Sequence, residues 1–257
     1  IDPSRMRNGN TLTNDAFASD KFDFILANPP YGVDWKAYAG PIRDEHTKLG
    51  ERGRFGAGLP RISDGSFLFL QHMLSHMKPE GSRVGIVLSG SPLFSGQAGS
   101  GESEIRRWIL ENDWLEGIVA LPDQMFYNTG ISTYVWILTN AKAPEDAGLV
   151  RLIDARELGT KMRKSLGDKR KELTSDAIDE VVRLYFGAAE ESAGDPRVKV
   201  LPREAFGFQR VTLERPLRRR WEVTPDAVAT DPFTALASLV GQRFETEKAL
   251  LAEAGET

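Results

Sequence analysis

The sequence contains no cysteine, so neither a disulfide framework nor a thiolate zinc site is available, and a reducing cytoplasm is the expected home. It has no apolar run near the roughly 18 residues that a membrane-spanning helix requires, and no charged-then-apolar leader opens it. An excess of positive charge is missing too. The formal net charge is -4, which excludes a protein whose whole surface is a footprint for nucleic acid and confines any such contact to a local patch or a partner. The chain opens on Ile1-Asp2-Pro3 without an initiator methionine, and the expectation is a piece of a longer protein.

What is present is enough for a real core: 257 residues, 40% of them hydrophobic. Apolar runs rich in β-branched residues at Phe22 to Ala27, Val84 to Leu88, Leu115 to Leu121 and Tyr134 to Leu138 read as strands. They are continuous rather than alternating, the pattern of strands covered on both faces. Phe67, Leu70, Leu74 and Met77 follow helical spacing, with Asp64 or Ser66 as cap and Pro79-Glu80-Gly81 as stop. Ile105, Trp108 and Ile109 mark a second helix between Ser103 and Asn112. This alternation predicts an α/β doubly wound sheet. Only about a dozen residues without helical period separate the last two strands, so those two are expected to pair antiparallel at the edge.

Beyond Asn140, Val150 to Ile153 is a possible extra strand, and Ser175 to Phe186 a helix closed by Gly187. Lys161 to Lys171 carries six Lys or Arg against one Asp; a solvated loop is the favoured reading and a phosphate contact the alternative. Arg215 to Arg220 reads the same way. From Ala188 the chain is charged and proline-punctuated, with a helix-like stretch from Phe233 to Ala254.

The chemistry concentrates in "FDFILANPPYG", Phe22 to Gly32. In a doubly wound sheet, ligands sit at the carboxyl ends of strands, where Asn28 to Tyr31 fall. Pro29 and Pro30 fix φ near about -65° and remove two N–H donors, leaving carbonyl acceptors beside the Asn28 side-chain oxygen. Two rigid acceptors can hold both hydrogens of one planar amine, pyramidalise it and turn its lone pair outward for attack on an electrophilic methyl group. The ring of Tyr31 can stack on the amine's own ring and hold it in reach.

An Asn-Pro-Pro-Tyr motif closing a strand resembles the catalytic motif of S-adenosylmethionine-dependent amino-methyltransferases. "DGSFLFLQHMLSHMKPEGSRVGIVLSGSPLF" and "LEGIVALPDQMFYNTGISTYVWILTN" are similar to the helix, strand and hairpin that follow it in the modification (M) subunits of type I restriction-modification systems, and "RNGNTLTNDAF" to the segment before it. The resemblance covers roughly Ile1 to Leu184 and implies DNA adenine N6-methylation with S-adenosylmethionine, in partnership with DNA, a specificity (S) subunit and a restriction (R) subunit. By matched position, Asn28 and the Pro29 carbonyl accept the N6 hydrogens, Pro30 holds the turn, Tyr31 stacks on a flipped adenine, and Phe126 lies against that base. A hydrophobic plug is the other reading of Phe126. Asn10 stands where the family commonly has an acidic residue facing the cofactor, and Asn28 borders the same site.

The family's glycine-rich cofactor loop is not found in the 27 residues before Asn28. The expected fold is therefore the C-terminal part of a doubly wound, Rossmann-like methyltransferase sheet with an antiparallel edge hairpin, followed by a mainly helical appendage. Residues 1–155 would be the catalytic domain without its cofactor-binding half, and 156–257 the appendage, for subunit docking. Two other functions use the same residues: methylation of a protein glutamine or of guanine N2 in RNA, or no catalysis, as an assembly module.

Three further features are weighed. "GQAGSGE", Gly96 to Glu102, lacks a phosphate-loop ending and reads as a flexible loop. The glycine- and arginine-rich segment Gly40 to Ser63 reads as a loop, mobile or in contact with DNA. His72 and His76 stand four apart as metal ligands would, but with no glutamate between them they read as packing residues, so no metal is expected.

Overall fold

The computed structural model describes residues 3, 6–127, 129–187, 194–208, 211–212, 221–225 and 239–253. The chain divides into two compact units, Ile1–Gln209 and Arg210–Thr257.

In the first unit, strand β1 (Phe24–Ala27) leads through helix α1 (Ala39–Leu49) and α2 (Ser66–Ser75) to β2 (Arg83–Ser89). The short α3 (Ser91–Phe94) and α4 (Gly101–Glu111) follow, then β3 (Leu115–Ala120), β4 (Thr133–Thr139) and β5 (Leu149–Asp154). Strands β6 (Thr160–Leu166) and β7 (Lys169–Glu172) pair as a hairpin, α5 (Ser175–Phe186) comes next, and β8 (Val198–Pro202) completes a six-stranded sheet of order β1-β2-β4-β3-β5-β8. β1 and β2 are parallel, as are β3 and β5, whereas β4 runs antiparallel to both of its neighbours. The expected antiparallel hairpin is present, but in the middle of this sheet, because β5 and β8 extend it.

Helices cover both faces where the strand sequences ask for it. Phe67, Leu70 and Leu74 of α2 and Ile105 and Ile109 of α4 pack on Val84, Ile86, Ile118 and Leu138 on one face. Leu184 and Tyr185 of α5 pack on Val119 and Ile153 on the other. Successive β3 residues thus enter opposite cores, and the run reads as continuously apolar. Gly117 is required there: a Cβ on it would lie 2.8 Å from the Tyr185 ring.

β1 and β2 behave differently. Their Ile25, Ala27, Val84, Ile86 and Leu88 belong to the α2 side, but Phe24 and Leu26 on the opposite face are 76% and 84% exposed. The expectation of two-sided cover fails for β1, since no element among the described residues packs on that face of it; on β2 the same face is partly covered, with Arg83 paired to Glu116 and 5.9 Å from the Phe186 ring.

Several local expectations are corrected. Gly40 to Ser63 is not a loop throughout. It contains most of α1, which accommodates Pro41 because the first turn of a helix has no use for its N–H groups. α2 ends at Ser75, and Met77 instead bridges to Phe22. Asp64 ties the start of α2 by accepting from the Ser66 N–H at 3.0 Å and the Ser66 hydroxyl at 2.6 Å. Lys161 to Lys171 is the β6–β7 hairpin rather than a loop. The compact unit runs to Gln209, with α5 packed on the sheet and β8 forming its sixth strand.

"GQAGSGE" leads into the close-packed start of α4. Ser100 caps the helix, accepting from the Ser103 N–H at 3.4 Å, and buried Glu102 accepts from the Arg61 N–H at 2.9 Å. A Cβ on Gly101 would fall 1.8 Å from the Leu59 carbonyl oxygen. Gly101→Ala is therefore expected to destabilise the unit by about 1–3 kcal/mol in thermal melting. Gly130→Ala, with nothing within 4 Å, is the control.

In the second unit, β9 (Trp221–Glu222) and β10 (Arg243–Phe244) pair antiparallel, with Arg243 donating to Glu222 at 3.0 Å, ahead of α6 (Glu247–Glu253). Residues 156–257 are thus not mainly helical among the described residues, which include five strands. Arg215 to Arg220 and most of the first half of the expected final helix lie outside the described residues. No helix among the described residues is long and apolar enough to cross a membrane.

Candidate active site

β1, β2 and β3 all point their carboxyl ends the same way, and the β3–β4 connection turns there. This edge opens into a cleft of about 1010 Å³. Asn28, Pro29, Pro30 and Tyr31 form one wall as the chain leaves β1, and Phe126 and Tyr127 of the β3–β4 connection form another. Ser89 and Ser91 come from the end of β2 and the start of α3, and Arg61 and Asp64 from the segment before α2. The strand ends on stiff polar groups because this is where the sheet stops and the cleft begins.

Within the cleft the sequence-derived residues meet directly. The Tyr31 hydroxyl donates to Asn28 Oδ1 at 2.7 Å, and the Tyr31 ring meets the Phe126 ring edge-on at 5.9 Å and 81°. Burial pushes the Tyr31 phenol up to about 12, so it stays protonated and remains a donor at neutral pH. The Asn28 oxygen is thus held by an internal donor. Phe126 is half-buried; it lines the cleft and also packs against the Val119 and Leu121 core.

Asn10 is elsewhere. It does not line the cleft; its Oδ1 accepts from the Leu12 N–H at 3.0 Å and its carbonyl from the Thr13 and Asn14 N–H groups. Two residues were not singled out by themselves from sequence, although the first lies in the Gly40 to Ser63 segment read as mobile or in contact with DNA. Arg61 is the one cation lining the cleft among the described residues, donating from Nη2 to the Ser91 hydroxyl at 2.7 Å. Gln124 adopts φ 57°, and nothing in an ordinary glutamine announces a left-handed conformation. A second cavity, of about 1090 Å³, lies between α4 and the sheet, but none of Asn28 to Tyr31 reaches it.

His72 and His76 come together with Asp15, with ligand-type atoms within 4.8 Å of one another. The hydrogen bonds show how this cluster is satisfied. Arg54 donates from Nη1 to His72 Nδ1 at 3.2 Å, which occupies the lone pair a cation would need. The remaining Arg54 donors go to Glu45 and to the carbonyls of Thr11 and Leu12. His76 faces the Asp20 carbonyl at 2.8 Å and Asp15 Oδ2 at 3.0 Å. The cluster ties α2 to the segment before β1. Burial opposes ionisation of Asp15, but the Phe17 N–H and the two histidines hold its carboxyl below the usual range.

Burial, with help from His76 and Arg54, lowers His72 to about 4. A folded-state value below the unfolded value of about 6.5 means that full stability is present above pH 6.5 and is lost as the pH falls toward 4. The loss is expected to reach up to about 3 kcal/mol by the acid end of that window. His72→Gln, which keeps an acceptor for Arg54, is expected to flatten urea-derived stability across it. An equally steep wild-type-like loss in the variant would assign the effect to other groups.

Comparison with known proteins decides the family. The profile of the N-6 DNA methylase family matches residues 1–200. The chain belongs to that family. It is 27% identical over 84% of its length to the type I restriction enzyme MjaIX methylase subunit of Methanocaldococcus jannaschii, and 33% identical over 68% to the HindI methylase subunit of Haemophilus influenzae. It spans 37% and 35% of those relatives. Among solved structures, the type I restriction-modification methyltransferase subunit of Streptococcus thermophilus superposes with a TM-score of 0.60 at 28% identity, covering 77% of this chain and 38% of that one. The α/β sheet described above is thus part of a methyltransferase fold.

Proposed function

We propose that this chain supplies the target-base side of an S-adenosylmethionine-dependent adenine-N6 DNA methyltransferase, the modification subunit of a type I restriction-modification system. The observation that carries this reading is Asn28-Pro29-Pro30-Tyr31 at the carboxyl end of β1, facing Phe126 across one cleft. Adenine N6 is inaccessible within the duplex, so the base must be flipped out at a cost of about a few kcal/mol. Its amine then displaces the Tyr31 hydroxyl from Asn28 Oδ1 and takes the Pro29 carbonyl as second acceptor. Tyr31, released, is free to lay its ring on the base, with Phe126 opposite. Holding both N–H groups turns the nitrogen lone pair outward; the two carbonyl oxygens are acceptors rather than bases, so the surplus proton left on the nitrogen after transfer goes to water.

Among the described residues no glycine-rich turn follows a strand ahead of Asn28, and Asn10 is committed to its own turn. We therefore place the cofactor in a further part of the protein, packed against β1, whose exposed Phe24 and Leu26 invite such cover. Binding of S-adenosylmethionine to this chain alone at micromolar strength would overturn that placement. DNA, specificity and restriction subunits are the proposed partners, the unit from Arg210 a docking surface for them, and the cytoplasm the proposed location.

A glutamine amide or guanine N2 would meet the same two acceptors, but membership in the N-6 DNA methylase family favours adenine in DNA. The test is methyl transfer by the complete subunit to DNA, RNA and a glutamine-bearing peptide. N6-methyladenine in DNA is expected; transfer to the peptide or RNA only would sink the proposal.

A further inference from the structure

We propose that the β6–β7 hairpin is an arm that grips the phosphodiester backbone of duplex DNA beside the base-binding cleft; this rests on DNA being the substrate.

The charge is concentrated there. Residues 160–172 hold six cations (Lys161, Arg163, Lys164, Lys169, Arg170 and Lys171) and two acids (Asp168 and Glu172), a net of +4. The whole chain carries -4, so the rest of it carries -8. A local reversal of that size is what a backbone-binding patch on an acidic protein requires. It is also unspent. Lys161, Arg163, Lys164 and Arg170 are exposed and, among the described residues, make no ion pair or side-chain hydrogen bond. Three other cations of the unit are ion-paired by contrast: Arg156 to Asp154, Arg183 to Glu180, Arg197 to Asp195 and Glu180.

The arm is held in place. Gln124 stands in the left-handed region at φ 57°, and its carbonyl accepts from the Arg170 N–H at 2.9 Å and the Lys171 N–H at 3.1 Å. A non-glycine residue keeps such a conformation only where its surroundings fix it. Lys171 pairs with Asp123, and Lys169 Nζ lies 5.4 Å from the Tyr127 ring centroid. Asp123, Gln124 and Tyr127 belong to the connection that carries Phe126 into the cleft. The hairpin and the base-facing aromatic are thus parts of one framework, two residues apart along the chain at Gln124 and Phe126. A duplex whose base enters the cleft would run its backbone past the cleft mouth, beside the connection to which the hairpin is tied.

The test is duplex binding by the complete subunit, read by fluorescence anisotropy over a salt series. The triple variant Lys161→Gln, Arg163→Gln, Lys164→Gln leaves every anchor of the hairpin in place. It is expected to bind ~tenfold or more weakly at about 0.1 M salt, with the slope of log affinity against log salt smaller by about 2 to 3. Duplexes with and without the target site are expected to lose affinity alike, because phosphate contacts carry no sequence information. The charge-conserving triple Lys161→Arg, Arg163→Lys, Lys164→Arg is expected to keep the slope. Should the neutral triple fail to fold by circular dichroism, Lys161→Gln and Lys164→Gln alone are each expected to lower the slope by about 0.9. An unchanged slope overturns the proposal. So does loss of subunit assembly with the slope retained, which would assign the arm to an acidic protein partner. Binding does not require turnover, so a wild-type subunit with the salt slope but no DNA adenine methylation would sink the proposed activity and leave the arm standing.

Discussion

Asn28→Ala in the complete subunit is expected to lower kcat for DNA adenine methylation by about 10²–10³-fold, the usual consequence of removing one preorganised hydrogen-bond partner from a reacting group. The Asn28 oxygen is preorganised here, since the rigid Pro29-Pro30 turn follows it and a donor, the Tyr31 hydroxyl, already holds it at 2.7 Å. The alanine removes the acceptor and leaves that hydroxyl without its partner. Asn28→Asp keeps an oxygen in place and is expected to retain more activity than the alanine. Equal loss in both would show that acceptance is not the role. Tyr31→Phe separates the two functions of the tyrosine: it keeps the ring for stacking and frees Asn28 Oδ1, so base binding is expected to tighten. A 2-aminopurine fluorescence titration at the target position reads this directly.

This pairing of Tyr31 with Asn28 illustrates what the sequence could and could not reveal. The motif was legible because its stiffness and polarity clash with the strand before it, and that clash is local. Phe126 was reachable only through resemblance, since 94 residues separate it from Tyr31 along the chain and no periodicity links them. The direction of the Tyr31 hydroxyl was not legible at all; it depends on how the folded turn brings the side chain back onto Asn28. The strands Leu115–Ala120 and Thr133–Thr139 were visible because both entered cores. The β6–β7 hairpin was hidden for the opposite reason. Its strands carry charge on both faces, pair chiefly with each other and bury little, so the apolar alternation that marks a strand never arises. α1 was hidden by Gly40 and Pro41, which look like loop residues but sit in the one turn that tolerates them. In the sequence only the missing glutamate speaks against a metal at the histidine pair, whereas its partners, Arg54, Asp15 and Thr11, come from segments that only the fold brings together.

Glutamate at Phe24 and Leu26 together is expected to have opposite consequences in two contexts. In this chain alone the side chains are 76% and 84% exposed, so the double variant is expected to change stability by no more than about 0.5 kcal/mol. In the complete subunit the same residues are proposed to lie under the cofactor-binding part. Covering a Phe and a Leu contributes about 1.5–3 kcal/mol each, and burying unpaired carboxylates in their place costs several kcal/mol more. That is a large fraction of the stability of a typical domain. The complete variant is therefore expected to lose S-adenosylmethionine binding in calorimetry and to melt earlier, while a matched pair of substitutions at exposed Ile178 and Val182 of α5 serves as the control. The sequence pattern itself argues for this outcome: β1 is written as a strand covered on both faces, and only one face is covered by the described residues. A complete subunit that tolerates Phe24→Glu with Leu26→Glu would place its cofactor part elsewhere, and the exposed face of β1 would then need another explanation.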